Sequence, residues 1–185
     1  MRGAVVFLCV GLICSFAAQA QELPERSGYV NDLAHVLSEP TRTQLEAALS
    51  EYAQEKGRGV YVLLVPTLEG MSVNAYDEAI TQAWALEQDH LFLLVSLEES
   101  ALHISVGDRI KSLYPDAFLD GVLNAMIPAL AQGDFDGGIT QGVNRLIGAG
   151  SAGASQQESR DGTWRVILLA GALALSLLLY VVFLA

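Results

Sequence analysis

Cysteine, basic charge and phosphate-binding loops are scarce or missing in this sequence. Its two cysteines, Cys9 and Cys14, both lie in the hydrophobic amino-terminal segment. If that segment is cleaved no cysteine remains, which excludes a disulfide, a thiolate nucleophile and a cysteine-ligated metal. The 185 residues include 21 acidic and 10 basic ones, a net charge of −11 at pH 7. Such an acidic chain is a poor partner for nucleic acid or anionic lipid head groups, and no glycine-rich phosphate loop is present.

Histidine is also rare, and its spacing matches no metal-binding motif. The three histidines are His35, His90 and His103. His103 falls on the polar side of a predicted strand, where a structural or solvated role is expected. The serines of this region, including Ser105, have no visible histidine and carboxylate partners, so the sequence predicts no nucleophile constellation.

The amino terminus has the form of a secretory signal peptide. A basic start at Arg2 precedes an apolar run from Ala4 to Phe16, and Ala18-Gln19-Ala20 provides an A-x-A cleavage site. We therefore predict a signal peptide over residues 1–20, the alternative being a retained membrane anchor. Cleavage removes only Arg2 among the charged residues, which leaves 21 acidic and 9 basic residues and a net charge of −12.

The carboxyl terminus has the form of a membrane-spanning helix. Residues 164–184 (WRVILLAGALALSLLLYVVFL) are apolar apart from Arg165, and about 20 apolar residues are enough to cross a bilayer. Residues 148–163 are rich in Gly, Ser, Ala and Gln, which predicts a flexible tether. With the signal peptide, these features predict a single-pass protein of a bacterial inner membrane whose domain faces the periplasm or exterior.

Between these ends, the stretch from Leu91 to Gly107 (LFLLVSLEESALHISVG) organises the predicted domain. Its first run, Leu91 to Ser96, is almost continuously apolar, which is typical of a strand buried on both faces. The second run, Leu102 to Val106, alternates apolar and polar residues, and the short polar connection indicates an antiparallel hairpin. An earlier β-rich run, Val60 to Val65, predicts a central strand. The helix predicted between that strand and the hairpin indicates a parallel crossover.

Three helices have clear sequence boundaries. The first is capped by Ser38 and ends at Gly57, and the second is capped by Ser72. The third opens at Pro115-Asp116. Pro128 is expected to kink or end this third helix, because proline removes a backbone donor and clashes with the preceding turn.

A fourth helix is predicted from about Ile139 to Ile147, after a turn at residues 133–138. Residues 21–27 form an extended lead-in, and residues 28–147 form one domain. The predicted fold class is α/β: a three-layer α/β/α sandwich in which a small mixed sheet with a β-hairpin carries helices on both faces.

Several short motifs of this domain occur in an order similar to that of a known family. They are Gly28-Tyr29-Val30-Asn31-Asp32-Leu33-Ala34, VYVLLVP, a tryptophan after a helix, LFLLVS, His103-Ile104-Ser105-Val106-Gly107, Ile127-Pro128 and Gly133-Asp134-Phe135. The ordered set resembles the TPM domain of bacterial membrane-anchored proteins and thylakoid photosystem II repair proteins. The resemblance implies an α/β/α sandwich beside a membrane helix and, for some members, Ca²⁺ binding and weak acid phosphatase activity.

Two motifs depart from the pattern of this family. Its members usually carry Asp-Asn-Gly before the first hairpin strand, where this chain has Asp89-His90-Leu91. They usually carry Gly-Tyr-Gly after the second hairpin strand, where this chain has Gly107-Asp108-Arg109. The first departure puts a metal site in doubt, since close backbone approach to a ligand often needs glycine.

Three carboxylates are candidate metal ligands. Ligands of open α/β sheets bind at the carboxyl ends of parallel strands, so we expect Asp32, Asp89 and Asp116 to lie near a common rim, with Asp108 as a further candidate. Converging carboxylates suit a hard cation such as Ca²⁺. Each also has a structural interpretation, as a residue of a helix entry or a turn.

Two functions follow as hypotheses. The first is an accessory module that assists assembly, repair or quality control of a membrane complex by binding an unidentified membrane-protein partner. The alternative is a weak metal-dependent acid phosphatase that uses Asp32, Asp89 and Asp116. The remaining acidic side chains, including Asp77 and the Glu98-Glu99 pair, are interpreted as solvated surface.

Overall fold

The computed structural model describes residues 23–150. The predicted signal peptide, most of the predicted tether and the predicted membrane span lie outside the described residues. Within residues 23–150, every helix is too short or too polar to cross a membrane.

A four-stranded mixed sheet forms the centre of the domain. Its strands, in spatial order, are β1 (Val30–Asp32), β2 (Gly59–Val65), β3 (His90–Ser96) and β4 (Ala101–Val106). The first three strands are parallel, and β4 is antiparallel to β3. The predicted hairpin and the parallel connection from the central strand are therefore confirmed.

Four helices of the described region surround this sheet: α1 (Glu39–Lys56), α2 (Val73–Ala83), α3 (Asp116–Ala131) and α4 (135–150). Ser38 and Ser72 cap α1 and α2, because their hydroxyl oxygens accept hydrogen bonds from backbone N–H groups of the first turn. Gly57 ends α1 with a φ of 64°, a left-handed conformation that glycine adopts without strain. These boundaries match the sequence prediction.

Two boundaries at the start of the domain and in α3 differ from the prediction. Val30–Asp32 forms a strand where a loop was expected, because pairing of Val30 with Val62 and of Asp32 with Leu64 adds it to the sheet. Three residues are too few for a periodic signal. Pro128 lies inside α3, which continues to Ala131, so the expectation that it could end the helix is wrong.

The fourth helix is longer than predicted at both ends. It begins at 135, where Asp134 accepts a hydrogen bond from the N–H of Gly137 at 2.9 Å, as an N-terminal cap does. It continues to 150, so residues 148–150 are helical and do not belong to a tether. Gly150 packs so closely that an added Cβ would lie 1.9 Å from the Tyr52 hydroxyl, which shows that this end belongs to the core.

Helices pack on both faces of the sheet in three layers. One core joins the sheet to α1, α3 and α4; it includes Leu49, Val62, Leu93, Met126 and Val143. The second core joins the sheet to α2; it includes Leu63, Tyr76, Ile80, Trp84 and Phe92. Neighbouring residues along β2 and β3 enter opposite cores because side chains of a strand alternate between its two faces.

The parallel strands give the domain two distinct ends. We call the end at which β1, β2 and β3 finish the carboxyl end of the sheet, and the end at which they start its amino end. Gly59 of β2 lies beside His90 of β3 at the amino end, whereas Ser96 of β3 lies beside Ala101 of β4 at the carboxyl end.

Candidate functional site

Asp32 is a turn-forming carboxylate at the carboxyl end of the sheet. One of its oxygens accepts a hydrogen bond from the N–H of Leu37 at 2.8 Å, and the other accepts one from Val36 at 3.3 Å. The side chain therefore holds the chain between β1 and α1. Its role as a metal ligand would require these oxygens to be shared with the ion.

Asp89 and Asp116 are positioned at the amino end. Asp89 immediately precedes β3 and forms an ion pair with Arg109. Asp116 is exposed in the first turn of α3, and the opposite end of that helix reaches the carboxyl end, where Ile127 and Leu130 lie beside Ser96.

The expectation that these three carboxylates share one rim is therefore wrong. Asp32 is level with Leu64 of β2, whereas Asp89 precedes the residue that is level with Gly59. At about 3.3 Å per residue, the five steps between Gly59 and Leu64 separate the two levels by about 17 Å. In a parallel sheet, a residue that precedes one strand lies at the amino end, whereas the last residue of a neighbouring strand lies at the carboxyl end.

A metal site is not assembled in the part of the chain that the structure describes. Residues 23–150 contain no group of three or more His, Cys, Asp or Glu side chains placed to hold a metal ion. Ca²⁺ binding stays a prediction, and the melting temperature of the protein with and without millimolar Ca²⁺ is its direct test. A shift that disappears in Asp89→Asn would support it.

The carboxyl end instead carries an apolar groove. The end of β3 and the start of β4 form its floor, and the last turns of α3 with the start of α4 form its wall. Its apolar lining residues are Val95, Leu97, Ala101, Leu102, Ile127, Leu130, Ala131 and Phe135, around a cavity of about 250 Å³. Ile127 is 50% exposed and belongs to this set of apolar side chains along one concave surface. A contiguous exposed apolar surface, unlike a single exposed apolar residue, is typical of a binding site.

Acidic residues lie next to the lining residues of the apolar groove in the sequence. The exposed residues Glu98 and Glu99 lie in the hairpin connection between two lining residues, Leu97 and Ser100. Asp134, also exposed, precedes the lining residue Phe135. The described residues that line the groove include no lysine or arginine, so its surroundings favour a partner with positive charge.

Glu99 also fixes the shape of this end. Its carboxylate accepts hydrogen bonds from the Thr67 hydroxyl at 2.9 Å, from the N–H of Leu68 at 3.1 Å and from the Ser96 hydroxyl. These donors, the Ser96 hydroxyl above all, lower the pKa of Glu99 to about 2. Glu99 is exposed, as the sequence predicted, but its carboxylate has a further role that the prediction missed, since it joins the hairpin turn to the loop after β2.

A second polar cluster links α2 to β4. Asp77 of α2 is 9% exposed and accepts a hydrogen bond from the Ser105 hydroxyl at 2.8 Å. His103 Nε2 lies 3.9 Å from the same carboxylate oxygen. Burial raises the pKa of Asp77, and the bond from Ser105 and the nearby imidazoles offset part of that rise. The cluster is no catalytic triad, because the carboxylate, and not the histidine, contacts the serine.

Sequence reasoning missed the Asp77 cluster, although a signal was present. Asp77 stands four residues after Val73 and three before Ile80, so it lies within the apolar stripe of α2. His103 and Ser105 alternate on one face of β4, the face that α2 covers. A carboxylate in an apolar stripe and polar residues on the facing strand together indicate a buried polar contact.

The fold has known structural counterparts. The N-terminal domain of a P. gingivalis protein shares 18% identity over 65% of this chain and 80% of that chain, with a TM-score of 0.61. The N-terminal domain of the cg2496 protein from Corynebacterium glutamicum shares 23% identity over 71% and 84%, with a TM-score of 0.53. The BA42 protein from Bizionia argentinensis shares 19% identity over 63% and 82%, with a TM-score of 0.51. At such identities these likenesses establish the fold alone.

Sequence comparison identifies the family. No curated protein matches the chain. The family model of the TPM domain matches residues 30–149, which covers the sheet and all four helices of the described region. The chain therefore belongs to the TPM-domain family.

Proposed function

We propose that this protein is an exported, single-pass protein of a bacterial inner membrane whose TPM domain assists the assembly, repair or quality control of a membrane protein complex. The domain does so by binding a segment of a partner in the apolar groove. The exposed Ile127 in the apolar groove is the observation that carries this proposal.

The position of the groove relative to the chain ends supports this function. Near the start of the described residues, the carbonyl of Pro24 accepts a hydrogen bond from Trp84 Nε1 at the end of α2. At their other limit, Gly150 packs against Tyr52, which lies near the end of α1. Both α1 and α2 end beside the amino end of the sheet, so the chain leaves the domain opposite the groove. A domain tethered there presents the groove away from its attachment.

The groove also defines the chemistry of its partner. Its floor and wall are apolar, and the exposed acidic residues Glu98, Glu99 and Asp134 adjoin lining residues in the sequence. The partner segment therefore carries apolar side chains flanked by lysine or arginine. Apolar contacts supply the affinity, and the flanking charges set the register and the rate of association.

The metal-dependent phosphatase gains no support from the described residues. It needs Asp32, Asp89 and Asp116 to hold one cation, and Asp32 lies at the end of the sheet opposite the other two. Because the body carries a net charge of −12 after signal cleavage, phosphate esters would be repelled unless a cation inverted the local field.

Site-specific photo-crosslinking in intact cells tests the proposed function. A photoreactive amino acid replaces Ile127 in the groove or, as the matched control, the exposed Asn74 on α2. We expect position 127 alone to crosslink to a membrane protein, at a segment of apolar residues flanked by lysine or arginine. Glu98→Lys should lower the yield, because it removes one of the complementary charges.

Two results would overturn the proposal. One is crosslinking from position 127 only to a second copy of this chain or to its own residues beyond 150. The other is an equal set of products from positions 127 and 74, which would show that the groove has no special affinity.

A further inference from the structure

Asp77 is a buried carboxylate that lacks a permanent positive partner. It is 9% exposed, and no lysine or arginine lines the cavity beside it. Its one hydrogen bond comes from the neutral hydroxyl of Ser105 at 2.8 Å. A buried carboxylate costs free energy while it is ionised unless a positive group compensates it. The proposed function does not use this carboxylate.

Histidine is the titratable positive group that faces Asp77. His103 Nε2 of β4 lies 3.9 Å from the Asp77 oxygen, and the side chain of His103 is 31% exposed. The other titratable groups around Asp77 are Glu78 on its own helix, His90 of β3, and Asp108 after β4. His103 is the one that directly joins α2 to β4, because Asp77 and His103 belong to these two elements.

We propose that Asp77 and His103 form a pH-sensitive latch, which holds α2 against the edge strand β4 more tightly in mildly acidic than in alkaline surroundings. Histidine is the residue type whose charge most readily changes between pH 5 and 8. While His103 is neutral, the Asp77 carboxylate has only the hydrogen bond from Ser105 to compensate it. When His103 carries a proton, its contact with Asp77 becomes an ion pair between the two elements.

The behaviour of the carboxylate has the same sign. Burial raises the pKa of Asp77, so the folded protein binds this proton more tightly than the unfolded chain does. Stability from this group is therefore gained as the pH falls and lost as the pH rises through the raised pKa. The ion pair with His103 exists only while Asp77 is ionised, so the latch operates at pH values above the raised pKa of Asp77.

The latch adds a polar contact to a helix that is otherwise held by apolar packing. α2 is the helix of the second core, and it reaches β4, an edge strand that pairs only with β3 in the described sheet. Its apolar residues Tyr76, Ile80 and Trp84 pack mainly on β2 and β3. The polar cluster is the contact that fixes the helix over β4. An exported domain experiences the pH outside the cytoplasm, so this contact couples the surroundings to the packing of α2.

Hydrogen exchange of the full-length chain in detergent micelles tests the latch. Amide protection in α2 is measured at pH 8 and pH 6, corrected for the intrinsic exchange rate, with α1 as the internal reference. In the wild type we expect protection of α2 to rise by roughly threefold at pH 6, the size expected for a half-exposed ion pair. Protection of α1 should not rise with it.

Three variants assign the effect to its residues. His103→Gln removes the charge and Asp77→Asn removes the carboxylate, and both should abolish the rise. His35→Asn is the matched control, because His35 is exposed and its φ of 53° suits asparagine. It should keep the rise, and His90 is present in every variant.

The wild-type measurement decides the proposal even where a variant fails to fold. Equal protection of α2 at the two pH values would overturn it, as would a rise shared equally by α1 and α2. A rise that survives His103→Gln in a folded variant would also overturn it, because another group would then carry the pH dependence.

Discussion

At the scale of single residues, the side chain of Glu99 connects the hairpin turn with the loop after β2. It accepts hydrogen bonds from Ser96, Thr67 and Leu68, and these lower its pKa to about 2. The folded protein therefore binds this proton less tightly than the unfolded chain, in which the pKa is near the ordinary 4.5. The stabilisation is complete above about pH 4.5 and is lost as the pH falls from there towards 2.

Glu99→Gln is expected to make the free energy of unfolding depend less on pH at acidic pH. The wild type should lose stability between about pH 4.5 and pH 2 more steeply than Glu99→Gln, because the variant has no proton to bind at this position. Urea unfolding at a series of pH values measures the difference. Glu98→Gln, a neighbouring change at an exposed residue, serves as the control. Parallel profiles for wild type and Glu99→Gln would contradict the assignment.

Two buried tyrosines form a second residue-scale contact at the amino end. The hydroxyls of Tyr52 and Tyr114 lie 3.0 Å apart, and Tyr114 also donates to the carbonyl of Leu146 at 3.4 Å. Burial raises the pKa of Tyr114 far above its ordinary value. The pair joins α1 to α4 and to the segment before α3.

Removal of the Tyr114 hydroxyl leaves the buried hydroxyl of Tyr52 without this partner. Tyr114→Phe should lower the free energy of unfolding by about 1–3 kcal/mol, the usual cost of an unsatisfied buried group. The double variant Tyr52→Phe with Tyr114→Phe should lose less than the sum of the single losses. Denaturant unfolding of the four proteins of this cycle gives the coupling. Strictly additive losses would show that the hydroxyls do not depend on each other.

Individual residues were the least predictable part of the sequence. Ser38, Ser72 and Gly57 were assigned correctly because caps are local features whose partners lie within one helical turn. Asp77 was misassigned, and the contacts of Glu99 with Thr67 and Leu68 were missed, because these partners lie 28 and 31–32 residues away in the chain. The burial of Asp77 and these hydrogen bonds arise only when the strands pair.

At the scale of elements, the helix α1 fixes the short edge strand β1. Glu46 of α1 accepts hydrogen bonds from the N–H groups of Tyr29 and Val30, at 3.0 and 2.8 Å. These N–H groups open the strand, which has only three residues of its own. The carboxylate therefore replaces the pairing that a further neighbouring strand would supply.

Glu46→Gln should loosen β1 without unfolding the domain. The amide retains the shape of the side chain but accepts fewer hydrogen bonds and carries no charge, so we expect a loss of about 1–3 kcal/mol. Faster hydrogen exchange at residues of β1 and a lower midpoint in urea would show it. Glu51→Gln, at an exposed position of the same helix, should change neither. Unchanged exchange in β1 after Glu46→Gln would contradict this role.

Elements with a strong periodic or continuous pattern were predicted well. β2 and β3 are apolar throughout because helices cover both of their faces, and this arrangement produces a continuous run in the sequence. β1 and the first turn of α4 were missed because a three-residue strand and a glycine-containing helix start carry no periodic signal. Their structure is decided by contacts with β2 and by Asp134.

At the scale of the whole molecule, the limits of the described chain and the apolar groove lie at opposite ends of the sheet. The described chain leaves beside Trp84 and Tyr52, near the amino end of the sheet. The apolar groove with Ile127 lies at the carboxyl end. The sequence could not place the groove, because the hairpin turn and the end of α3 approach each other only in the folded protein. The sequence predicted the family and the layers correctly. It wrongly placed the candidate carboxylates at one end of the sheet, whereas the parallel strands separate them.

Cysteine accessibility in native membranes tests the central claim most directly. Ile127→Cys and, as control, Asn74→Cys are made in a chain whose Cys9 and Cys14 are replaced by serine, and the rate of reaction with a water-soluble maleimide is measured. We expect Cys at position 127 to react severalfold more slowly in native membranes than in the purified protein, since a bound partner covers the groove, while the control reacts equally in both. Equal rates at position 127 in membranes and in the purified protein would contradict a partner-binding groove.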